Sequence, residues 1–189
     1  IGSVLNGGGS HPNGNRAATP EEWLAYARSL RAASLETSPS SLGVPIIWGT
    51  DAVHGHNNVR GATIFPHNIG LGAINDPQLI GEIAVATARE VAATGIDWTF
   101  APTLAQAKDY RWGRTYESYS DDPDLVEAYG RAMVEGIEGE GLAATAKHFI
   151  GDGGTTAGRD QGNTELSTAD LLAQHGSGYT GAFDAAVDT

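Results

Sequence analysis

The sequence predicts an α/β fold that is built on a parallel sheet. Apolar segments that suit strands alternate with amphipathic segments that suit helices, in units that begin near residues 1, 45, 97 and 143. No two strands are expected to be separated by a two-residue hairpin turn, which favours parallel pairing. Because a complete α/β barrel has eight such units in ~250 residues, these four predict either a small open sheet or about half of a barrel.

The first unit consists of a short strand, a loop and a long helix. The strand is predicted at residues 1–5, and a glycine-rich loop follows at 6–15. The loop lacks the Gly-Lys-Ser/Thr sequence of a phosphate-binding loop, so we interpret it as a plain connection. Thr19, Pro20 and Glu22 predict a helix start, because the threonine and the glutamate form a capping box around a proline at the first helical position.

The later units repeat this pattern, with strands that are apolar on both faces and helices that begin at Asp-Pro or Ser-Thr pairs. Gly95 suits the C-terminal end of the second helix, where a left-handed backbone favours glycine. The elements are predicted in this order: a strand at 44–51, a helix from 77, a strand at 97–102, a helix from 123, a strand at 144–150, and a helical region from 168 that is broken near Gly176 and Gly178 and runs to the end.

Composition excludes several classes of partner. The formal net charge is −12 and the pI is near 4.7, so nucleic acid and anionic membrane surfaces are poor ligands, whereas a neutral sugar is compatible. The absence of cysteine excludes disulfides and thiolate metal sites. No apolar run approaches the ~18 residues of a membrane span. The chain begins inside an apolar run without a signal peptide, which suggests a piece of a longer protein.

Polar side chains gather where the predicted strands end. In a parallel sheet these ends share one face, where ligands bind, so we expect a ligand site there. Lys147 and His148 are adjacent, and alternation along a strand would send them to opposite faces. The candidates are Asp51 after the second strand, Arg111 and Arg114 after the third, Lys147 and His148 at the end of the fourth, and Asp152, Asp160 and Gln161 just beyond.

This set of residues favours a carbohydrate ligand. A sugar hydroxyl both donates and accepts hydrogen bonds, so a mixture of carboxylate, cationic and imidazole partners satisfies it. Aromatic residues near the same loops are candidate platforms for sugar rings, although such residues are more often part of a core. They are Trp48, Trp98, Trp112 and Tyr116.

Two further chemistries can be considered for the same residues. Glycoside cleavage needs two carboxyl groups, and no context marks which of the available carboxylates would serve. These are Asp51, Glu117, Asp152 and Asp160. His54 and His56, with Asp51 and His67 nearby, form a possible metal pair, but loop histidines two residues apart more often form hydrogen bonds, so we predict no metal.

Four motifs resemble those of glycoside hydrolase family 3, in its β-glucosidase and β-glucan exohydrolase branch. The resemblance extends over nearly the whole chain, and the motifs come in the right order. They are GTDAVHG at 49–55, ATIFPHN at 62–68, RWGRTYESY at 111–119 and AKHFIGDGGT at 146–155.

The resemblance implies a parallel (β/α) TIM-like barrel, of which residues 1–189 form about the first half of the N-terminal domain. It implies a retaining hydrolase that releases glucose from the non-reducing ends of β-glucosides or β-glucans, without a cofactor, in the periplasm or outside the cell. Asp51, Arg114, Lys147 and His148 match residues that hold the terminal sugar, with the last two as donors. Gln161 falls where some members carry a glutamate, which is a weaker match.

The resemblance also implies that the catalytic residues lie elsewhere. The family's nucleophilic aspartate belongs to a later Ser-Asp-Trp-like motif, and the acid/base glutamate usually comes from a second domain. We therefore expect no catalytic residue in this chain and no hydrolysis by it alone. A half-barrel would leave the first and fourth strands as open edges unless missing segments cover them, so we expect either a longer parent chain or self-association.

Three alternatives remain open on the sequence alone. The first is a family 3 β-N-acetylglucosaminidase, a branch that usually reads Lys-His-Phe-Pro-Gly-His-Gly. Ile150 and Asp152 replace its proline and second histidine here, which favours the glucosidase branch. A non-catalytic sugar-binding module would bind glucose without turnover. A sugar-phosphate barrel enzyme is disfavoured by the acidic charge and by the lack of a convincing phosphate loop.

Overall fold

The structure is a computed structural model that describes residues 1–6 and 9–189. Gly7 and Gly8, in the predicted glycine-rich loop, lie outside the described residues. The strands are β1 (Ser3–Asn6), β2 (Thr37–Ser38), β3 (Ser41–Leu42), β4 (Ile47–Thr50) and β5 (Trp98–Thr99). The α-helices are α1 (Pro20–Leu35), α2 (Asn68–Gly72), α3 (Pro77–Ala93), α4 (Pro123–Glu138), α5 (Thr168–His175) and α6 (Ser177–Asp184).

The central sheet is parallel, as predicted. Its order is β1–β4–β5, with Val4 opposite Trp48 and Gly49 opposite Trp98. Each of these strands is followed by a long helix, which confirms the α/β class and brings the carboxyl ends of the strands to one side.

The fourth predicted strand is not a regular strand in the structure. Ala143 and Lys147 form only isolated parallel bridges, to Trp98 and Thr103. Backbone pairing continues as far as Lys147, whose carbonyl accepts from the amide of Leu104 at 2.7 Å. The segment leaves the sheet after Lys147. The prediction that Lys147 and His148 point to opposite faces of a strand therefore does not apply to His148. The Lys147–His148 and Phe149–Ile150 peptide bonds are cis.

The outer edge of this fourth segment is partly occupied. The amide of Ala146 donates to the carbonyl of Thr189 at 2.9 Å, and the Thr189 hydroxyl donates to the carbonyl of Ala144 at 2.6 Å. The last residues thus leave helix α6 at Asp184 and run beside the fourth segment. The prediction that the helical region runs to the end of the chain was wrong, because α6 ends at Asp184. The edge that we expected to be open is covered in part by Thr189.

A short hairpin interrupts the strictly parallel pattern. β2 and β3 pair in antiparallel fashion, with Thr37 opposite Leu42, and only Pro39 and Ser40 separate them. The prediction that no hairpin occurs was therefore wrong. The hairpin follows directly on the end of α1 and forms its own two-stranded sheet, so the order of the central sheet is unaffected.

The core lies between the sheet and the helices. Helix α3 packs against α4, where Gly136 allows close approach, because a Cβ on it would lie 2.6 Å from the Cβ of Ala84. Helix α4 also packs against α6. The apolar faces predicted for α3 and α4 are buried, except that Leu79 and Leu125 are only half-buried. Among the described residues, no helix combines the length and the apolar character that crossing a membrane requires.

The predicted helix starts are confirmed in detail at α1. The amide of Glu22 donates to the hydroxyl of Thr19 at 3.3 Å, and the Glu22 carboxylate accepts from the amide of Thr19 at 2.7 Å. Asp76 caps α3 and Ser167 caps α5 through their side-chain oxygens. Gly95 has φ of +78°, the left-handed conformation that we predicted after α3.

Replacing Thr19 with alanine should lower the free energy of unfolding by about 1 kcal/mol, because the capping hydroxyl satisfies an otherwise unpaired amide. Urea denaturation measures this change. Thr180→Ala is the matched control, since Thr180 is exposed on α6 and its side chain makes no hydrogen bond among the described residues. Equal stabilities of the two variants would contradict a capping role for Thr19.

Candidate active site

A polar pocket lies at the carboxyl ends of the strands. It has a volume of about 190 Å³ and is lined by Asp51, Val53, His54, Asn57, His67, Arg114 and Glu117. Asp51 directly follows β4, and Arg114 precedes the short 3₁₀ turn Thr115–Glu117. Lys147 and His148 contact these residues from the end of the fourth segment.

Two charge pairs organise this pocket. Lys147 Nζ lies 2.8 Å from Asp51 Oδ1; the lysine side chain is 13% exposed and the aspartate side chain 46%. Arg114 donates from Nε and Nη2 to the two carboxylate oxygens of Glu117, at 2.6 and 2.8 Å. Hydrogen bonding to Glu117 raises the pKa of Arg114 against the opposing effect of burial. Both cations are thus held in fixed positions by carboxylates.

His148 contacts the second of these pairs, and its tautomer follows from that contact. Arg114 Nη2 lies 3.2 Å from His148 Nε2. A guanidinium only donates, so Nε2 must accept and the ring proton must be on Nδ1. Nδ1 lies 2.6 Å from Asp152 Oδ2 but out of line for a hydrogen bond. The Nε2 lone pair of His148 is therefore occupied by Arg114, and the remaining hydrogen-bonding group of the ring is the hydrogen on Nδ1.

Helix α2 supports the segment that contains the Arg114–Glu117 pair. Asn68 is buried, and its side-chain amide donates to the carbonyl of Glu117 at 2.7 Å. At the other end of α2, Gly72 lies against the backbone of Tyr119, so close that a Cβ would be 1.6 Å from the Tyr119 carbonyl oxygen. Helix α2, which the sequence did not predict, thus fixes the segment that carries Arg114 and Glu117.

The remaining predicted polar residues lie outside this pocket. Gln161 is exposed with φ of +56° and lines a neighbouring pocket of about 350 Å³, to which His148 and Asp152 also contribute. Arg111 is exposed and paired with Asp109 rather than with the site. Asp160 is exposed, and its carboxylate accepts from the Trp112 indole at 3.1 Å. The structure therefore brings four of the five predicted substrate-binding residues together and leaves Gln161 in the adjoining pocket.

Of the four aromatic candidates, only Tyr116 is largely exposed beside the pocket. Trp48 and Trp112 are buried, and Trp98 donates its indole hydrogen to Thr145 at 2.7 Å. The Tyr116 ring lies edge-on to His67, with ring centroids 4.6 Å apart. Among these four candidates, Tyr116 is therefore the one placed to contact a bound sugar ring.

The histidines do not converge as a metal site. The rings of His54 and His67 lie 4.3 Å apart at the pocket, and burial, with a smaller contribution from His54, lowers the pKa of His67. His56 points into the core instead, where its Nε2 lies 3.0 Å from the Thr94 hydroxyl. In the part of the chain that the structure describes, no group of three or more His, Asp or Glu side chains could hold a metal ion.

The buried His56 should make the fold sensitive to mild acid. Burial lowers its pKa from 6.5 to about 4, so between these values the unfolded chain binds the proton more readily than the folded chain does. Stability is therefore lost as the pH falls through 6.5 toward 4, and this residue should account for about 2 kcal/mol of unfolding free energy between pH 7 and pH 5. Urea denaturation at both pH values measures this. His56→Gln should lose that part of the pH dependence. A variant whose unfolding free energy changes with pH as much as that of the unmodified chain would contradict this role of His56.

Sequence reasoning missed Asn57 and Val53 as pocket residues. Both belong to the loop that follows Asp51, so their place directly after the end of β4 was the available signal. Glu117 was considered only as a candidate catalytic carboxylate. In the structure its carboxylate is fully engaged with Arg114.

Comparison with known proteins assigns the chain to a family. The sequence profile of the glycosyl hydrolase family 3 N terminal domain matches residues 1–189. The lysosomal beta glucosidase of Dictyostelium discoideum is 35% identical over 150 residues, which are 74% of this chain and 18% of that protein. The periplasmic beta-glucosidase of Salmonella typhimurium is 28% identical over 152 residues, which are 77% of this chain and 19% of that protein.

Solved structures share the fold. The exo-1,3/1,4-beta-glucanase ExoP of a Pseudoalteromonas species is 52% identical with a TM-score of 0.95, over 98% of this chain and 24% of that one. The D270A beta-glucosidase of Listeria innocua in complex with laminaribiose is 30% identical with a TM-score of 0.81, over 98% and 24%. The predicted partial TIM-like barrel is confirmed. The chain spans about a fifth of the curated relatives and about a quarter of the solved chains.

Proposed function

The chain belongs to glycosyl hydrolase family 3, and from this membership we propose that its protein is a retaining hydrolase. The reaction would release glucose from the non-reducing ends of β-glucosides or β-glucans. The similar proteins that are named as β-glucosidases and as an exo-1,3/1,4-β-glucanase support this assignment. Within the complete protein, we assign residues 1–189 to part of the N-terminal barrel domain.

The arrangement of donors and acceptors around the pocket carries this proposal. Asp51 supplies carboxylate oxygens, Lys147 and Arg114 supply charged donors, and His148 accepts from Arg114 within the same contact network. Neighbouring sugar hydroxyls need such alternation, because each of them donates one hydrogen bond and accepts others. We assign these four residues to binding of the terminal glucose and Gln161 to the adjoining unit of the substrate.

The carboxylates in this pocket are paired with cationic side chains rather than left unpaired for covalent chemistry. Asp51 accepts from Lys147, and Glu117 accepts from Arg114 through both oxygens. A retaining glycosidase needs one carboxylate free to attack the sugar and a second carboxyl group to protonate the leaving oxygen. We therefore assign the nucleophile and the acid/base to other parts of the complete protein. No step of this reaction requires a cofactor.

We also propose that the protein acts in the periplasm or outside the cell. The periplasmic β-glucosidase of Salmonella typhimurium supports this location, and the lysosomal relative from Dictyostelium discoideum shows that the family also occurs in other compartments. Cell fractionation with an antibody against the protein tests the proposal, and recovery in the cytoplasmic fraction would contradict it.

The 189-residue chain should bind glucose and laminaribiose without hydrolysing a β-glucoside. NMR titration measures the binding, and release of p-nitrophenol from p-nitrophenyl β-glucoside measures the turnover. The complete protein should hydrolyse the same substrate. Turnover by the isolated chain that depends on Asp51 would contradict the assignment of the catalytic pair to other parts of the protein. Binding without turnover by the complete protein would favour a sugar-binding module instead.

A further inference from the structure

Three buried polar side chains form a hydrogen-bonded cluster at the carboxyl ends of β1 and β4. Asn6 is the last residue of β1, Thr50 is the last residue of β4, and Asn58 lies in the loop that follows β4. Asn6 and Thr50 are opposite each other in the parallel register of the two strands. We call these three residues the Thr50 cluster. Because buried polar groups need hydrogen-bond partners, each contact within the cluster can be accounted for.

The Thr50 hydroxyl uses its full hydrogen-bonding capacity inside the cluster. It donates to the carbonyl of Asn6 at 3.4 Å, and it accepts from the side-chain amides of Asn58 at 3.1 Å and of Asn6 at 3.5 Å. A hydroxyl has one hydrogen and two lone pairs, so no capacity is left for a ligand. The Thr50 hydroxyl is therefore a fixed acceptor that orients the side chain of Asn58.

Asn58 connects the cluster to the backbone of the candidate active site. Its Nδ2 atom donates to the carbonyl of Asp51 at 3.4 Å, and no other hydrogen bond among the described residues reaches that carbonyl. Asp51 comes directly after β4, where strand pairing has ended. Seven positions separate Asp51 from Asn58, so this contact closes the loop 51–58 on itself and ties it to the ends of the two strands.

The loop 51–58 supplies most of the proposed sugar pocket, although Asn58 itself lies outside it. Four of the seven lining residues belong to this loop, and Asn58 is not among the seven. Lys147 holds the Asp51 carboxylate from the opposite direction, at 2.8 Å. The residue that we assign to binding of the terminal glucose is thus fixed at its carbonyl by Asn58 and at its carboxylate by Lys147.

We propose that Asn58 is a positioning residue for Asp51, and that the Thr50 hydroxyl orients Asn58 for this role. The inference rests on the proposed function, in which Asp51 binds hydroxyls of the terminal glucose. A displacement of about 1 Å at a site can reduce the reaction rate by up to about a hundredfold. A buried amide that fixes the backbone of Asp51 therefore affects catalysis without touching the sugar.

Variants of the complete protein test this proposal through kcat/KM for laminaribiose. Asn58→Ala removes the contact with Asp51 and should lower kcat/KM about tenfold. Thr50→Val keeps the shape of the side chain but loses the hydroxyl, and it should lower kcat/KM about threefold, whereas Thr50→Ser keeps the hydroxyl and should restore most of the activity. Thr87→Val is the matched control, because Thr87 is buried on α3 and lines no part of the sugar pocket.

A second background separates positioning from a general effect on stability. In a protein that already carries Asp51→Asn, the carboxylate that Asn58 positions is gone, so Asn58→Ala should lower kcat/KM by less than about twofold. A residue that only stabilised the fold would lower kcat/KM by the same factor in both backgrounds. Urea denaturation of each variant measures the folded fraction. If Asn58→Ala does not fold, Thr50→Val in the two backgrounds decides the question by the same criterion.

The outcomes separate this inference from the proposed function. Equal effects of Asn58→Ala in the two backgrounds would overturn the positioning role and leave the glucose site intact. Unchanged kcat/KM in a folded Asn58→Ala protein would overturn it as well, and so would a Thr50→Ser protein that is as impaired as Thr50→Val. Failure of the unmodified complete protein to hydrolyse laminaribiose would overturn the proposed function and this inference with it.

Discussion

Replacing Asp51 with asparagine is expected to weaken glucose binding by about a hundredfold. The variant removes a charged acceptor for sugar hydroxyls, and two charge-assisted hydrogen bonds of this kind contribute about 3 kcal/mol together. It also removes the partner of Lys147, whose side chain is only 13% exposed. The lysine would then lose its ion pair in a poorly hydrated position and would no longer be held toward the sugar.

Binding and stability must be measured together for this variant. NMR titration with glucose gives the affinity, and urea denaturation shows whether the folded fraction has changed. Glu135→Gln makes the same change of charge at an exposed position of α4, and it should bind glucose like the unmodified chain. In the complete protein, Asp51→Asn should reduce kcat/KM for laminaribiose by at least the same factor. Unchanged affinity in a folded Asp51→Asn chain would remove Asp51 from the site.

Replacing Gly72 with alanine should destabilise the fold by about 4 kcal/mol, at the upper end of effects caused by overpacking. The new Cβ would lie 1.6 Å from the carbonyl oxygen of Tyr119. Backbone cannot rotate out of the way as a side chain can, so α2 and the segment around Tyr119 must separate. Urea denaturation measures the loss.

The same substitution should also disturb the site at a distance. Asn68, at the start of α2, donates to the carbonyl of Glu117, and Glu117 holds Arg114 through both of its oxygens. We therefore expect weaker glucose binding by Gly72→Ala under conditions in which the chain remains folded. Gly113→Ala is the control, because no atom lies within 4 Å of its added Cβ. Equal stabilities of the two variants would contradict the contact with Tyr119.

Local signals predicted the elements that depend on a few neighbouring residues. The capping box of Thr19 and Glu22 marked the start of α1, and Asp76 and Asp122, each before a proline, marked α3 and α4. Such caps are formed within one helical turn, so the sequence contains all the information that they need.

The convergence of Asp51 and Lys147 was also predictable, although 96 positions separate them. Each follows a strand, and the carboxyl ends of parallel strands share one face. By contrast, the five-residue helix α2 is too short to show a period of 3.6 residues. The position of Gln161 depends on long-range packing of its loop, where Gly158 lies against the backbone of Arg111 and Trp112. Neither feature could be inferred from neighbouring residues.

The sheet is formed by segments that pair in the order in which they occur along the chain. β1 pairs with β4, β4 with β5, β5 with the segment from Ala143, and that segment with Thr189. Each new segment therefore needs only its predecessor as a partner. The loops that must close are therefore shorter than a loop that would join the first segment directly to the last, and their closure costs less conformational entropy.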